Sequence, residues 1–399
     1  MRFDVDELKK EFPFFENHPD WIYLDTAATA QKPHGVIDAI SNFYKKDYAT
    51  VHRAAHTLSY KATELFENAR EKIANFIGAT SDELIFTKGA TEALNLLASS
   101  LTSHIHEGDE ILVLETEHHA NLLPWQELCK KTKAHLIKIP VLESGVIDLE
   151  TFTSLKTDKT KVVAIAHMSN VTGALQPLKK IKELLLSSQA LLVVDGAQGI
   201  CHEKVNVKDL DVDAYAFSSH KLYGPTGLGC LFVKSKLLDG LDLYQVGGDV
   251  IDYVSFNETS YKKGRFRFET GTPMIAEVIG LHAAIDFLEK IGMDNISLHE
   301  TMLGHFLKKE LQKLENITLI GDSSNGLVSF FANNIHSLDI ATFLDSKKIA
   351  IRSGHLCAQP ALKRFHTPHA ARISCGLYTS IGDLEKTLEA LEESVCFFS

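Results

Sequence analysis

The chain has 399 residues, 45% of them hydrophobic and 23% charged, which is enough for one large core and a smaller one, so two domains are expected. A net charge of −11 argues against a protein that binds the nucleic-acid backbone, because that affinity comes from Lys and Arg neutralising phosphates. Six cysteines without a Cys-x-x-Cys pair argue against a disulfide scaffold and fit a reducing cytoplasm, and nineteen histidines without paired Cys/His spacing give no reason to expect a metal site.

Met1-Arg2-Phe3-Asp4-Val5-Asp6-Glu7 alternates charged and apolar groups, unlike a signal peptide. Apolar runs such as Ala190 to Val194 fall far short of the roughly 20 residues that cross a bilayer. A soluble cytoplasmic protein with neither membrane nor nucleic-acid partner is expected.

From Glu83 to Ser219, short apolar runs read as buried strands: Glu83 to Thr87, Glu110 to Leu114, His135 to Pro140, Lys161 to His167 and Ala190 to Asp195. Helix-like segments such as Thr91 to Ser99 and Lys179 to Ser187 separate them, which implies βαβ units and a mainly parallel sheet. Gly247 to Gly264 is the one long polar stretch and reads as a loop of functional length. In Thr272 to Lys290, Val278, Leu281, Ile285 and Leu288 recur at steps of three, four and three, one apolar helical face just after Pro273. The chain then turns to a helix-strand-helix mixture ending with Leu384, Leu388, Leu391 and Val395 on one face, preceded by the cap candidate Ser380. The division expected is a large α/β domain over 19–279 and a smaller α+β domain made of 1–18 plus 280–399.

Leu191-Leu192-Val193-Val194-Asp195-Gly196-Ala197-Gln198 is an apolar strand ending in a carboxylate at the carboxyl edge of a parallel sheet, where ligands bind. A second run, Ala214-Tyr215-Ala216-Phe217, leads into Ser218-Ser219-His220-Lys221. A lysine after small hydroxyl residues and an acid ending the preceding strand suit pyridoxal 5'-phosphate, which is held as a Schiff base on lysine and keeps its ring nitrogen protonated by an acidic partner. Lys221 and Asp195 fit those two tasks. Ser218 and His220 offer hydrogen bonds to the phosphate, and Ala90 and Thr91, in Gly89-Ala90-Thr91-Glu92, add backbone donors at a helix start. Taken singly, a strand-end Asp is more often a helix cap and a Ser-x-His-Lys string a solvated turn; their order and spacing carry the reading.

With these strings the chain resembles the group II, Suf-type cysteine desulfurases, within the class V aminotransferase fold of pyridoxal-phosphate enzymes (aspartate aminotransferase-like, fold type I). The likeness extends to Leu24-Asp25-Thr26-Ala27-Ala28-Thr29-Ala30-Gln31-Lys32-Pro33, Val51-His52-Arg53-Ala54-Ala55-His56-Thr57-Leu58-Ser59, Glu117-His118-His119-Ala120-Asn121, Phe268-Glu269-Thr270-Gly271-Thr272-Pro273 and Arg352-Ser353-Gly354-His355-Leu356-Cys357. The resemblance implies that His118 stacks on the pyridine ring and takes part in proton transfer, that Gln198 and Asn170 serve the ring hydroxyl, and that Arg372 clamps the substrate carboxylate bidentately, with Asn170, Arg352 and His52 also on the substrate side. It further implies a homodimer in which Thr272 reaches the phosphate bound by the other subunit. Two positions depart from the pattern: Leu356 stands where a second histidine is common, and Thr270 where alanine is common.

An isolated cysteine is usually a buried small hydrophobe, and five of the six here read that way. Cys357 differs, because Arg352, Ser353, Gly354 and His355 place it on a polar, basic surface loop, and positive neighbours favour the nucleophilic thiolate. The reaction implied is removal of sulfur from L-cysteine, leaving L-alanine and a persulfide on Cys357 that passes to an acceptor protein of the SufE or SufU kind for iron–sulfur cluster assembly. A selenocysteine lyase acting on L-selenocysteine would keep every cofactor residue, a kynureninase-like hydrolase would not need Cys357, and a non-catalytic sulfur carrier would be colourless.

Overall fold

The computed structural model describes residues 4–322 and 325–398. A seven-stranded sheet forms its centre, built from β1 Leu84–Thr87, β2 Glu110–Leu114, β3 His135–Ile139, β4 Thr160–Ala166, β5 Leu191–Asp195, β6 Ala214–Ser218 and β7 Gly229–Val233, in the order β1-β7-β6-β5-β4-β2-β3. All strands run parallel except β7, which is antiparallel to both its neighbours. The expected strands appear within a residue or so of their boundaries. The missed one is β7. It follows β6 through a turn with no helix between, so an argument from strand-helix alternation passes over it.

Alternate residues of these strands feed two separate cores. Leu112, Leu114, Val163, Leu192, Val194 and Phe217 pack on one face, and Ile111, Val113, Val162, Ala164 and Val193 on the other. Burial on both faces is why the strands read as unbroken apolar runs. Helix α1, Ala90–Ser100, begins just past the end of β1 and beside the start of β7. A Cβ on Gly229 would sit 2.4 Å from Gly89 Cα, so glycine there lets the start of α1 approach the sheet closely.

The periodic segment after Pro273 forms α2, Ile275–Ile291, with Val278, Leu281, Ile285 and Leu288 all buried. It packs on the helices His34–Asn42 and Thr57–Phe76. Gly292, at φ 91°, reverses the chain into α3, Met293–Leu311. The Gly247 to Gly264 stretch is not a plain loop: Ile251–Val254 (β8) and Thr259–Tyr261 (β9) form an antiparallel hairpin. Its Tyr253, Val254 and Phe256 stay exposed, so no buried face imposes the alternation by which a strand is recognised.

The C-terminal part holds an antiparallel sheet of β10 Ile317–Ile320, β11 Leu327–Ala332, β12 Arg352–Gly354 and β13 Ala370–Ser374, ordered β10-β11-β13-β12. Its apolar face meets α3 and α4, Ile381–Phe398, through Leu303, Leu307, Phe330, Ile373 and Leu391. Leu384 and Leu391 are buried there, while Leu388 and Val395 pack at its margin. Ser380 caps α4 as expected: its Oγ accepts from Asp383 N–H at 3.1 Å and its own N–H donates to Asp383 Oδ2 at 2.9 Å, a reciprocal box that satisfies two orphan donors. Among the described residues no helix is long and apolar enough to cross a membrane.

Candidate active site

The carboxyl ends of β4, β5 and β6, the start of α1 and the β12–β13 edge converge on a cavity of about 230 Å³. Asp195, the last residue of β5, accepts from Ala197 N–H at 3.0 Å. Burial raises its carboxyl above the usual range, with Lys221 opposing. Lys221 ends the short turn that follows β6, and burial lowers its ammonium while Asp195 pulls the other way. A half-buried lysine and a buried carboxylate thus face one space, each the other's counter-charge.

Ser218, at the end of β6, accepts from Ala90 N–H at 2.8 Å and so fastens the start of α1 to the sheet. Thr91 lies one residue further along and lines the same cavity. His220 Nδ1 lies 3.1 Å from Thr29 Oγ1. His118 Nδ1 accepts from Ala120 N–H at 3.0 Å. Burial, then the charge of Lys221, brings the His118 pKa down to about 4, so the ring is neutral near pH 7. Gln198 Nε2 donates to the Ala27 carbonyl at 2.7 Å.

On the opposite wall, Arg352 and Arg372 are cross-strand partners in β12 and β13, and that register is why two guanidinium groups point at one site. Arg372 donates to Asn170 O at 3.0 Å and to Asp25 Oδ1 at 3.3 Å. Its buried Nε has no protein partner, a donor left for a ligand. Arg352 is half exposed, 3.8 Å from Asp25 Oδ2. Asn170 Nδ2 donates to Leu356 O at 2.8 Å.

Cys357 is exposed and lines the same cavity, near enough for its charge to act on Lys221 and Arg372. The surface loop expected over Arg352 to His355 is shorter than that, since Arg352–Gly354 are the edge strand β12. Leu356, where a histidine would match the resemblance, is 6% exposed and packs with Val171, Ile320, Ala358 and Ala361. Cys129, Cys201, Cys230 and Cys375 are buried, but Cys396, near the end of α4, is exposed, correcting the expectation that five cysteines are buried. Burial pushes the Cys129 thiol up to about 11 and Cys201 to about 12.

All the residues singled out from the sequence line this cavity except His52 and Thr272. Within one chain those two line a neighbouring cavity of about 270 Å³, where His52 Nε2 lies 3.2 Å from Glu67 Oε1. Sequence reasoning gave no role to two acids. Asp25 braces both arginines, and Glu117 accepts from Asn121 Nδ2 and Ala166 N–H, each at 2.7 Å. Burial raises the Glu117 carboxyl to about 8. Its signal in the sequence is an acid directly before a His-His pair, just past the apolar run Ile111 to Leu114.

The donors fit pyridoxal phosphate. A half-buried lysine faces a carboxylate, a helix start supplies N–H groups beside Ser218 and His220, and a buried guanidinium keeps a free donor. The model for the class-V aminotransferases matches residues 22–387. A cysteine desulfurase of Salmonella agona is 42% identical over 98% of both chains. The apo structure of a cysteine desulfurase from Thermococcus onnurineus NA1 superposes with a TM-score of 0.95 at 36% identity, covering 100% of this chain and 99% of that one. A cysteine desulfurase from Escherichia coli, described as its S-sulfonic acid, superposes at 0.94 with 32% identity over 100% of both chains. With this fold and this site, the chain belongs to the class-V aminotransferase family of pyridoxal-phosphate enzymes.

Proposed function

We propose that the protein is a cysteine desulfurase that converts L-cysteine to L-alanine and carries the sulfur as a persulfide on Cys357. The observation that carries this reading is one cavity lined both by the Lys221–Asp195 pair and by an exposed cysteine. Pyridoxal phosphate, when bound, supplies a conjugated ring that takes up electrons from the substrate α-carbon.

Lys221 would hold the cofactor covalently through its amine. Asp195 would keep a proton on the ring nitrogen, His118 would serve the ring face, and Gln198 and Asn170 would serve the ring hydroxyl. The start of α1, through Ala90 and Thr91, would bind the phosphate together with Ser218 and His220. Arg372, with Arg352 and Asn170, takes the substrate carboxylate and so fixes which end of cysteine faces Cys357. The Cys357 thiolate attacks the substrate sulfur, the carbon–sulfur bond breaks toward carbon, and Lys221 or His118 delivers the proton that completes alanine.

The persulfide then passes to an acceptor protein of the SufE or SufU kind, in the cytoplasm, for iron–sulfur cluster assembly. The protein works as a homodimer in which Thr272 and His52 serve the other subunit's cavity. This accounts for their place in the neighbouring cavity of their own chain. The domain division proposed is 19–279 against 1–18 plus 280–399.

The test is purified protein given cysteine and a reductant. It should be yellow and release alanine and sulfide, and without reductant one added sulfur should sit on the peptide containing Cys357. Sulfur on Cys396 or on a buried cysteine, or a colourless protein releasing no alanine, would overturn the reading.

A further inference from the structure

Leu356 and Cys357 both have positive φ, 51° and 53°. Consecutive left-handed residues other than glycine are costly, and such a conformation persists only where its surroundings hold it. Three fastenings are visible. The Leu356 side chain is buried in its apolar cluster. Its carbonyl accepts from Asn170 Nδ2 at 2.8 Å. The third runs through His119, whose N–H donates to the Cys357 carbonyl at 2.8 Å and whose ring Nε2 accepts from Gln359 N–H at 3.3 Å.

We propose that His119 is a positioning residue for the Cys357 nucleophile: it clasps the cysteine loop from both sides and ties it to the backbone of His118 next door. The proposal deepens the desulfurase reading and rests on it. His119 is joined by one peptide bond to the residue assigned to the ring face, so a single short segment links that residue to the loop that bears Cys357. That matters because attack on the substrate sulfur needs the reacting atoms held close and aligned. The ring accepts from Gln359 only while Nε2 carries no proton. Partial burial, followed by the nearby His355, favours that neutral state.

The experiment compares His119→Ala and His119→Asn, which leave no acceptor at the Nε2 position, with His119→Gln, which restores one. In the resting holoenzyme, hydrogen exchange at the Gln359 amide should speed up about tenfold in the first two, the scale of one lost hydrogen bond, and return close to wild type in Gln. The kcat for alanine release from cysteine should fall by a similar factor in Ala and Asn and recover in Gln. KM and the visible cofactor band should stay unchanged in all three, since Arg372 and Lys221 are untouched. Unchanged exchange at Gln359 in both Ala and Asn overturns the clasp. Faster exchange with unaltered kcat, or a Gln variant as slow as Ala, overturns the positioning role. A wild-type protein that releases no alanine removes the desulfurase reading instead, and the exchange comparison still decides the clasp.

Discussion

The two halves of the cavity are built on opposite principles. On one side Asp195 and Ser218 end central strands buried on both faces and Lys221 ends the short turn just after one of them, where the backbone position follows from the sheet itself. On the other, Cys357 sits past a three-residue edge strand, on a strained turn held by side chains borrowed from elsewhere. The first suits a cofactor that must stay fixed through every turnover. The second leaves the sulfur-bearing atom exposed, as a group that must face both a buried substrate and an outside acceptor requires.

Substitutions on the two sides should therefore fail differently. The largest effect is expected of Lys221→Ala: the visible band of bound cofactor should vanish or shift, and alanine release should drop by about a thousandfold or more, as for loss of a covalent catalytic group. Borohydride trapping of the wild-type cofactor on a different lysine would refute the assignment. Cys357→Ala should leave the band intact and lower alanine release from cysteine by about a hundredfold or more, because the strand-end side is untouched. Activity on selenocysteine should suffer less, as a selenol leaves carbon more readily. Equal loss on both substrates would mean that Cys357 supports the site rather than attacking sulfur. Asp195→Ala should retain cofactor through the phosphate contacts and lose turnover, as the ring nitrogen loses its charged partner. Near-normal kcat in that variant would remove the role.

The buried histidines add a pH test. His118, His167 and His220 each have a pKa lowered to about 4, in every case first by burial. An unfolded chain titrates near 6.5 and so binds more protons between these values. The three rings should therefore lower the stability of cofactor-free protein as pH drops from about 6.5 toward about 4, while the Glu117 carboxyl, raised to about 8, takes up a proton in the fold over much of that range and offsets part of the loss. Urea midpoints of Glu117→Gln across that range would check it free of that offset, and a flat profile in this variant would mean the three rings stay solvated.

The difference between the halves also explains how much is legible in the sequence. The strand-end side can be read because burial on both faces writes an apolar run and a polar stop, so Asp195 and Lys221 stand out in the residue pattern alone. Arg372 sits inside Ala370–Ser374, an ordinary strand. Nothing local marks it, since its partner Arg352 and its brace Asp25 are brought in by register and by a distant bridge. His119 is equally invisible, because its bonds join segments more than 200 residues apart. The β8–β9 hairpin escapes for want of a buried face.

The smallest effect expected is that of Leu356, and it separates anchoring from chemistry. Trimming it to alanine empties space among Val171, Ile320 and Ala361, a change that costs about 2–3 kcal/mol where the cavity cannot collapse. The site lies under a turn near an edge strand, so much of that loss should appear as local opening of the loop rather than global unfolding. Leu356→Ala should thus shift the thermal midpoint by only a few degrees, leave the cofactor band in place and make Cys357 react several-fold faster with iodoacetamide, as the left-handed turn loses its apolar anchor. Leu356→His, which installs the residue common in the resemblance, should act in the same direction, because an imidazole placed among these aliphatic groups lacks a hydrogen-bond partner in this cluster. Alkylation as slow as wild type in both variants would show that the backbone bonds from Asn170 and His119 hold the turn without help from the side chain between them.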